Sequence, residues 1–372
     1  MVGPDIATRA FNNTILRSAP PRVFEDELTG VYEIDPVQDP RWNELVHRHP
    51  HGSVFHSTSW LEALHSTYGY DPVVISTSAP HEPLANGLVF CWVKSWLTGH
   101  RFVSVPFSDH CEPLVGSAEE LDYLLLALRR KGQEENCKYV EIRPVTCRPS
   151  SRTGLGPSLT YELHRLDLRN SEEVLFRGFH KDCVQRKIRR AEREKLKYEE
   201  GTSEDLLQKF YRLLVMTRRR QYLPPQPQAW FHGLIAAFGK DLKIRVASKD
   251  GVPVASILTL SHKKSMIYKY GCSNSSVNRF GGTALLFWKT IQEAKENGCD
   301  ELEMGRSDVD HRGLIAFKEH WGASGRLINY WTYPHGDSGL PDVWKRLARH
   351  IVPAVPDLAL ETGGKLLYRH IA

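Results

Sequence analysis

Arg279-Phe280-Gly281-Gly282-Thr283-Ala284 stands where a strand pattern hands over to a helix pattern, and it reads as R-x-x-G-x-A. The run before it, Met266 to Gly271, alternates as a strand does. The run after it, with Leu285, Leu286, Trp288, Ile291 and Ala294, repeats with helical spacing. At such a corner the free N–H groups of the first helical turn and the helix dipole favour an anion, and Arg279 adds charge. Arg279, Gly281, Gly282, Thr283 and Ala284 are therefore candidate phosphate-binding residues. The same six residues also suit an ordinary glycine-bearing loop, so context has to decide.

The context is a repeat. From Val73 to Arg143 the pattern predicts strand (Val73–Ser76), strand (Leu84–Val93), strand (Phe102–Phe107), helix (Glu119–Glu135), strand (Tyr139–Arg143). The same order returns as Lys243–Ala247, the turn Asp250-Gly251, Val254–Leu260, Met266–Tyr270, a helix over Thr283–Asn297 and a strand over Glu301–Met304. Helical lead-ins precede both, around Trp42–Tyr68 and Ser171–Phe238. Boundaries are expected near residues 30, 168 and 336: an extension (1–29), a first unit (30–168), a second (169–335) and a tail (336–372). Ser150 to Ser158 reads as a linker, and Tyr161–Leu168 as a strand joining the halves. In the tail, Trp344, Leu347, Ile351 and Val352 at helical spacing beside Lys345, Arg346 and Arg349 suit a docking helix or a membrane-surface one.

With 372 residues the chain exceeds what one core usually supports. A net charge of +5 does not argue for nucleic acid, and no DNA partner is expected. Seven scattered cysteines with no C-x-x-C pair suggest free thiols in a reducing compartment. No signal peptide or spanning helix is apparent, which points to the cytoplasm with peripheral membrane contact left open.

The strand order with a phosphate turn resembles the GCN5-related N-acetyltransferase (GNAT) fold, and Ala316 to Ala323 resembles a segment that follows the cofactor helix there. Two such halves resemble the Fem-type peptidoglycan-bridge aminoacyltransferases and their FemAB-like relatives of exopolysaccharide clusters. The stretches that carry this are Phe55 to Trp60, Val105 to Asp109, Lys181 to Ala191, Gly305 to Ser307 and Gly313 to Lys318. The implied fold is α+β: two tandem GNAT-like units, each a mixed, mainly antiparallel sheet flanked by helices. Two departures stand out. Glu62-Ala63-Leu64 occupies the place of a lysine for a nucleotide-linked substrate, and no long coiled-coil insertion lies between Leu234 and Lys243.

The resemblance implies transfer of an acyl or aminoacyl group to an amine without a covalent enzyme intermediate. The donor is acyl-CoA or aminoacyl-tRNA. The acceptor is an anionic cell-envelope precursor or a small soluble amine, and a non-catalytic tRNA- or lipid-binding protein is the competing class. Lys318 stands where GNAT enzymes place a tyrosine general acid, and Asp109 suits the acceptor's proton or ammonium; a surface lysine and an Asx-turn residue are the plain alternatives. Lys181, Arg186, Arg219, Tyr268, Tyr270, Arg306, Ser307 and Phe317 are the implied substrate contacts. Arg186, Arg189, Arg190 and Arg193 form an outward basic face on a helix over Arg177–Lys197 capped by Ser171, and the commonest meaning of such a face is solvation. No metal is expected: His47, His49 and His51 have no ligand spacing, and Cys111 does not pair with His110 by adjacency.

Overall fold

A computed structural model describes residues 30–335 and 355–370. The readings placed on residues 1–29 and on Trp344, Leu347, Ile351 and Val352 lie outside them. The first half runs β1 (Tyr32–Ile34), α1 (Pro40–Arg48), α2 (Thr58–Tyr68), β2 (Asp71–Ser76), β3 (Leu88–Val93), β4 (Arg101–Val103), α3 (Ala118–Glu134), β5 (Tyr139–Ile142) and β6 (Gly156–Asp167). Helices α4 (Glu172–Gly178) and α5 (Arg186–Arg193) follow. The order then returns as β7 (Lys197–Gly201), α6 (Glu204–Arg220), α7 (Gln228–Phe238), β8 (Leu242–Lys249), β9 (Val252–His262), β10 (Ser265–Ser273), α8 (Gly282–Glu296), β11 (Glu301–Asp308), α9 (Arg312–Glu319) and β12 (Ser324–Tyr333). Helix α10 (Asp357–Leu367) ends the described chain.

Among the described residues twelve strands join one sheet, ordered β1-β2-β3-β4-β5-β12-β6-β11-β10-β9-β8-β7. The last strand of each half crosses over: β6 pairs with β11, β12 pairs with β5, and β6 and β12 pair with each other at the centre. Among the described strands the β4/β5 and β10/β11 pairs are parallel and the other pairs antiparallel. The architecture is thus α+β with a mainly antiparallel sheet.

The burial pattern follows from strand alternation. Along β3, Val89, Cys91 and Val93 face one core while Leu88 and Phe90 face another, so the run is apolar throughout. The first core extends across both halves beneath α1, α2, α6 and α7. Trp60 of α2 meets Trp230 of α7 edge-on at 5.3 Å, and Gly233 lets the two helices close, since a Cβ there would lie 3.0 Å from Thr67 Oγ1. On the opposite face α3 covers the first half through Leu121, Leu124, Leu125 and Leu128, and α8 with α4 and α5 covers the second. Each such leucine contributes about 1.5–3 kcal/mol on burial. Serine caps set the helix starts: Ser57, Ser117, Ser171 and Ser203 each accept a first-turn N–H.

Two local expectations are corrected. The helix read over Arg177–Lys197 is broken, because Phe179 turns extended to pack against Trp288 and Trp321 at 5.7 and 5.0 Å. The His180 ring then caps a π-helical turn, Lys181–Gln185, by accepting the N–H groups of Asp182 and Cys183. The strand read over Phe102–Phe107 stops at Val103. Val105 and Phe107 take positive φ values of 45° and 59°, and the buried Arg143 guanidinium donates to the carbonyls of Val105 and Ser108. The loop that results carries Asp109 to the seam between the halves.

Candidate functional site

β10 and β11 pair only from Ser265–Ile267 with Glu301–Glu303, and then they part. Both strands carry an irregularity there, between Tyr268 and Tyr270 in β10 and between Glu303 and Arg306 in β11, where Gly305 has φ 70°. The split releases backbone groups from the ladder and admits side chains from the other half.

Asp109 enters this opening. Its Oδ2 accepts from Lys269 Nζ at 2.8 Å, and its Oδ1 lies 3.9 Å from Arg306 Nε. Tyr330 of β12 donates its hydroxyl to the Asp109 carbonyl at 2.9 Å. Arg306 stacks over Tyr161 and Tyr330, 4.0 and 4.8 Å from their centroids. Lys269 is held over Phe55 and Trp60 at 5.0 and 5.5 Å. Burial draws the Lys269 ammonium below the ordinary lysine range, and Asp109 opposes that shift.

Lys318 closes the other side. It is buried in the last turn of α9, and Nζ donates to the Gly305 carbonyl at 2.6 Å. A Cβ on Gly305 would lie 3.4 Å from Asp109 Oδ2, so the carboxylate and the Lys318 ammonium both adjoin Gly305. Burial lowers the Lys318 pKa to about 8, with Asp109, Glu303 and Glu162 resisting and Lys269 assisting. Below the split, buried Glu303 accepts from His110 at 3.0 Å and from Arg165 at 2.9 Å. Burial works to raise its pKa, but His110 and Arg165 outweigh that and pull it to about 2.

The glycine turn lies farther along β10. A short 3₁₀ turn, Ser275–Phe280, precedes it, and Gly281 stands as N-cap of α8 at φ 81° with no side-chain cap. The first-turn N–H groups are thus left to another partner. The two glycines are needed for packing: a Cβ on Gly281 would collide with the Lys187 carbonyl of α5, and one on Gly282 would lie 2.8 Å from Val254 Cγ2. Their absent side chains face α5 and the sheet. Arg279 is exposed, Thr283 half-buried and Ala284 buried.

Residues 180–318 match the family described as Acetyltransferase (GNAT) domain. Over that stretch the chain has the GNAT fold. Among solved structures FemX aligns with a TM-score of 0.65 at 15% identity, covering 85% of this chain and 99% of that one. The C-terminal domain (DUF2156) of a putative lysylphosphatidylglycerol synthetase from Agrobacterium fabrum aligns at 0.52, with 15% identity over 87% and 96%. A tandem GNAT protein from the clavulanic acid biosynthesis pathway aligns at 0.51, with 12% identity over 84% and 100%. At such identities the likeness speaks for the fold, and it is the tandem GNAT fold. No curated protein matches the sequence.

Across the two halves the structure brings Asp109, Arg306 and Lys318 together, and Ser307, which follows Arg306 in β11, is buried. Phe317 and Tyr268 lie nearby against Phe287 at 5.5 and 4.6 Å. Tyr270 faces the shared core, where its hydroxyl accepts from Trp230 at 2.8 Å. Lys181 and Arg186 are exposed on the turn and start of α5, and Arg186 pairs with Asp182. Arg219 donates to the Val355 carbonyl at 2.7 Å, which anchors the segment leading to α10. Sequence reasoning missed Lys269, Glu303, His110, Tyr161 and Tyr330. Lys269 was hidden inside an ordinary alternating strand; its signal was a lysine among aromatic neighbours. Cys111 does meet a histidine, His56 Nε2 at 3.3 Å, but burial pushes the thiol up to about 12 and the imidazole down to about 3. That pair is therefore inert as thiolate and imidazolium. Two surface grooves of about 500 and 540 Å³ lie elsewhere, lined by neither Asp109, Lys269, Arg306 nor Lys318. Among the described residues, no helix is long and apolar enough to cross a membrane.

Proposed function

We propose that the chain is an N-acyltransferase that moves an acyl or aminoacyl group from a phosphorylated donor to an amine of an anionic cell-envelope precursor by direct attack. The observation that carries this reading is the pair of groups that meet Gly305 at the strand split, the Asp109 carboxylate and the Lys318 ammonium. In the reaction the amine nitrogen bonds to the acyl carbon, and its surplus proton passes to Asp109. The bond to the leaving sulfur or oxygen breaks, and Lys318 supplies a proton there or steadies the charge that develops. A lysine near pKa 8 holds both protonation states at working pH, as a proton donor must. Lys269 and Tyr330 hold Asp109 in position.

The uncapped first turn of α8, with Arg279 beside it, fits a donor phosphate, and acyl-CoA is the donor that needs fewest assumptions. The basic face of α5 is a single short helix, and two of its arginines are engaged, Arg186 by Asp182 and Arg190 by Glu194. That leaves little of the charge that a tRNA would require. Support for an anionic acceptor comes from the structural neighbour named as a lysylphosphatidylglycerol synthetase, whose name joins a lysyl group to phosphatidylglycerol. Transfer assays with labelled acyl-CoA and labelled aminoacyl-tRNA test the reading. Transfer from acyl-CoA that Lys318→Met slows supports it, whereas ribonuclease-sensitive transfer from aminoacyl-tRNA alone would replace the donor.

A further inference from the structure

The π-helical turn and the end of α9 bring three metal-ligating side chains together outside the split. His180 and Cys183 stand three residues apart on the turn, and His320 follows Glu319 at the C-cap of α9. One ring nitrogen of each histidine and the Cys183 Sγ all lie within 4.8 Å of one another. The imidazole centroids are 4.4 Å apart. Three features hold the arrangement: the His180 N–H donates to the His320 carbonyl at 2.8 Å, the His180 ring is fixed by the backbone N–H groups of Asp182 and Cys183, and Phe179 packs on Trp321 at 5.0 Å. His180 is exposed while Cys183 and His320 are half-buried, so an ion has a path from solvent.

We propose that His180, Cys183 and His320 form a binding site for a zinc ion, with solvent completing the coordination. Two imidazoles and a thiolate are a ligand set that suits Zn²⁺ and is too soft for Mg²⁺ or Ca²⁺. Zinc bonds of about 2.0–2.3 Å place tetrahedral ligands roughly 3.5 Å apart, so the side chains draw together by about an ångström on binding. Cys183 loses its thiol proton to solvent in the process, which makes affinity rise with pH. The ion would tie α9, which carries Lys318 two residues before His320, to the turn that carries Lys181. The two strands of sequence are far apart, and H-x-x-C by itself is a weak signal, so the third ligand appears only in the fold.

The test uses the full chain, stripped with a chelator and titrated with Zn²⁺ against a chromophoric competitor, then with Co²⁺ followed by absorption. One ion per chain is expected, with a thiolate-to-cobalt charge-transfer band in the near ultraviolet. Cys183→Ser should remove that band, and His320→Ala should weaken zinc binding by roughly tenfold or more. His51→Ala, remote from the triad, should change neither. Zinc should also raise the Tm of the unaltered chain and not that of Cys183→Ser, a readout independent of transfer activity. Binding that equals the competitor background, or that survives Cys183→Ser and His320→Ala unchanged in folded protein, overturns the site.

Discussion

Asp109 of the first half and Lys269 of the second meet at 2.8 Å across the seam, with side chains only 16% and 7% exposed. Such a pair is costly to break and cheap to replace, because removing one partner strands the other in a low-dielectric site. Lys269→Met should lower stability to unfolding by about 3–5 kcal/mol, and adding Asp109→Asn should recover most of that loss. The double variant should still be inactive. Asp109→Asn alone should cut kcat by about 10²–10⁴ and should also lower stability by about 3–5 kcal/mol, because Lys269 is then buried without its counter-ion or has to give up its proton. Urea titrations and transfer kinetics on the three variants check both halves of the expectation. A double variant with full activity would remove Asp109 from the chemistry.

What the sequence made legible was local. Alternation marked the strands, serines marked the helix starts, and the recurrence of element order disclosed the two halves. The exchange of β6 and β12 left no local trace, since a strand's pattern does not name its partner across the sheet. The ends of elements were misread where a long-range contact decided them, as when Arg143 captured the Val105 carbonyl. The site divides in the same way. Asp109, Arg306 and Lys318 stood in motif-like stretches, whereas Lys269 and Glu303 looked like plain strand residues until the halves were brought together.

Lys318 should set an alkaline limit on activity. Its pKa is lowered from 10.5 to about 8 by burial, so the ammonium is lost as pH rises through about 8, and kcat should fall across that range. The linkage has a definite sign. Between about 8 and 10.5 the unfolded state binds more protons than the folded one, so the burial cost is full below 8 and is relieved as pH rises toward 10.5. Lys318→Met should therefore lower kcat, abolish the alkaline limb, and stabilise the fold most below pH 8. A pH–rate profile and denaturation at several pH values measure each. An unshifted alkaline limb in Lys318→Met would assign the limb to another group.

Arg279 and the glycines beside it should separate by readout. Gly281 and Gly282 are pressed against the Lys187 carbonyl and against Val254, so Gly282→Ala should destabilise by about 1–3 kcal/mol through overpacking. Arg279 is exposed, and Arg279→Ala should leave stability within about 0.5 kcal/mol. Its loss should instead weaken acyl-CoA binding by about 1.5–3 kcal/mol, the worth of a charge-assisted hydrogen bond. Isothermal titration and thermal unfolding on the two variants distinguish the roles. Equal donor affinity in Arg279→Ala and the parent chain would place the phosphate elsewhere.

Glu303 should govern the acid limit of the fold. Its carboxylate is 4% exposed and receives hydrogen bonds from His110 and Arg165, which overcome burial and hold its pKa at about 2 against an ordinary 4.5. A carboxylate with a depressed folded pKa contributes stability that is fully present above the unfolded value and is lost as pH falls through the folded one. The unaltered chain should thus weaken steeply between about pH 4.5 and 2. Glu303→Gln removes the charge while keeping the shape, leaving Arg165 to solvent and His110 without its anionic partner. The variant should be less stable near neutrality by about 3–5 kcal/mol, and the gap should close as the pH drops through that window. Because His110 adjoins Asp109 on the same loop, transfer should slow as well, even where the variant remains folded. A stability gap that stays constant from neutrality to pH 2 would show that the ion pair is not its source.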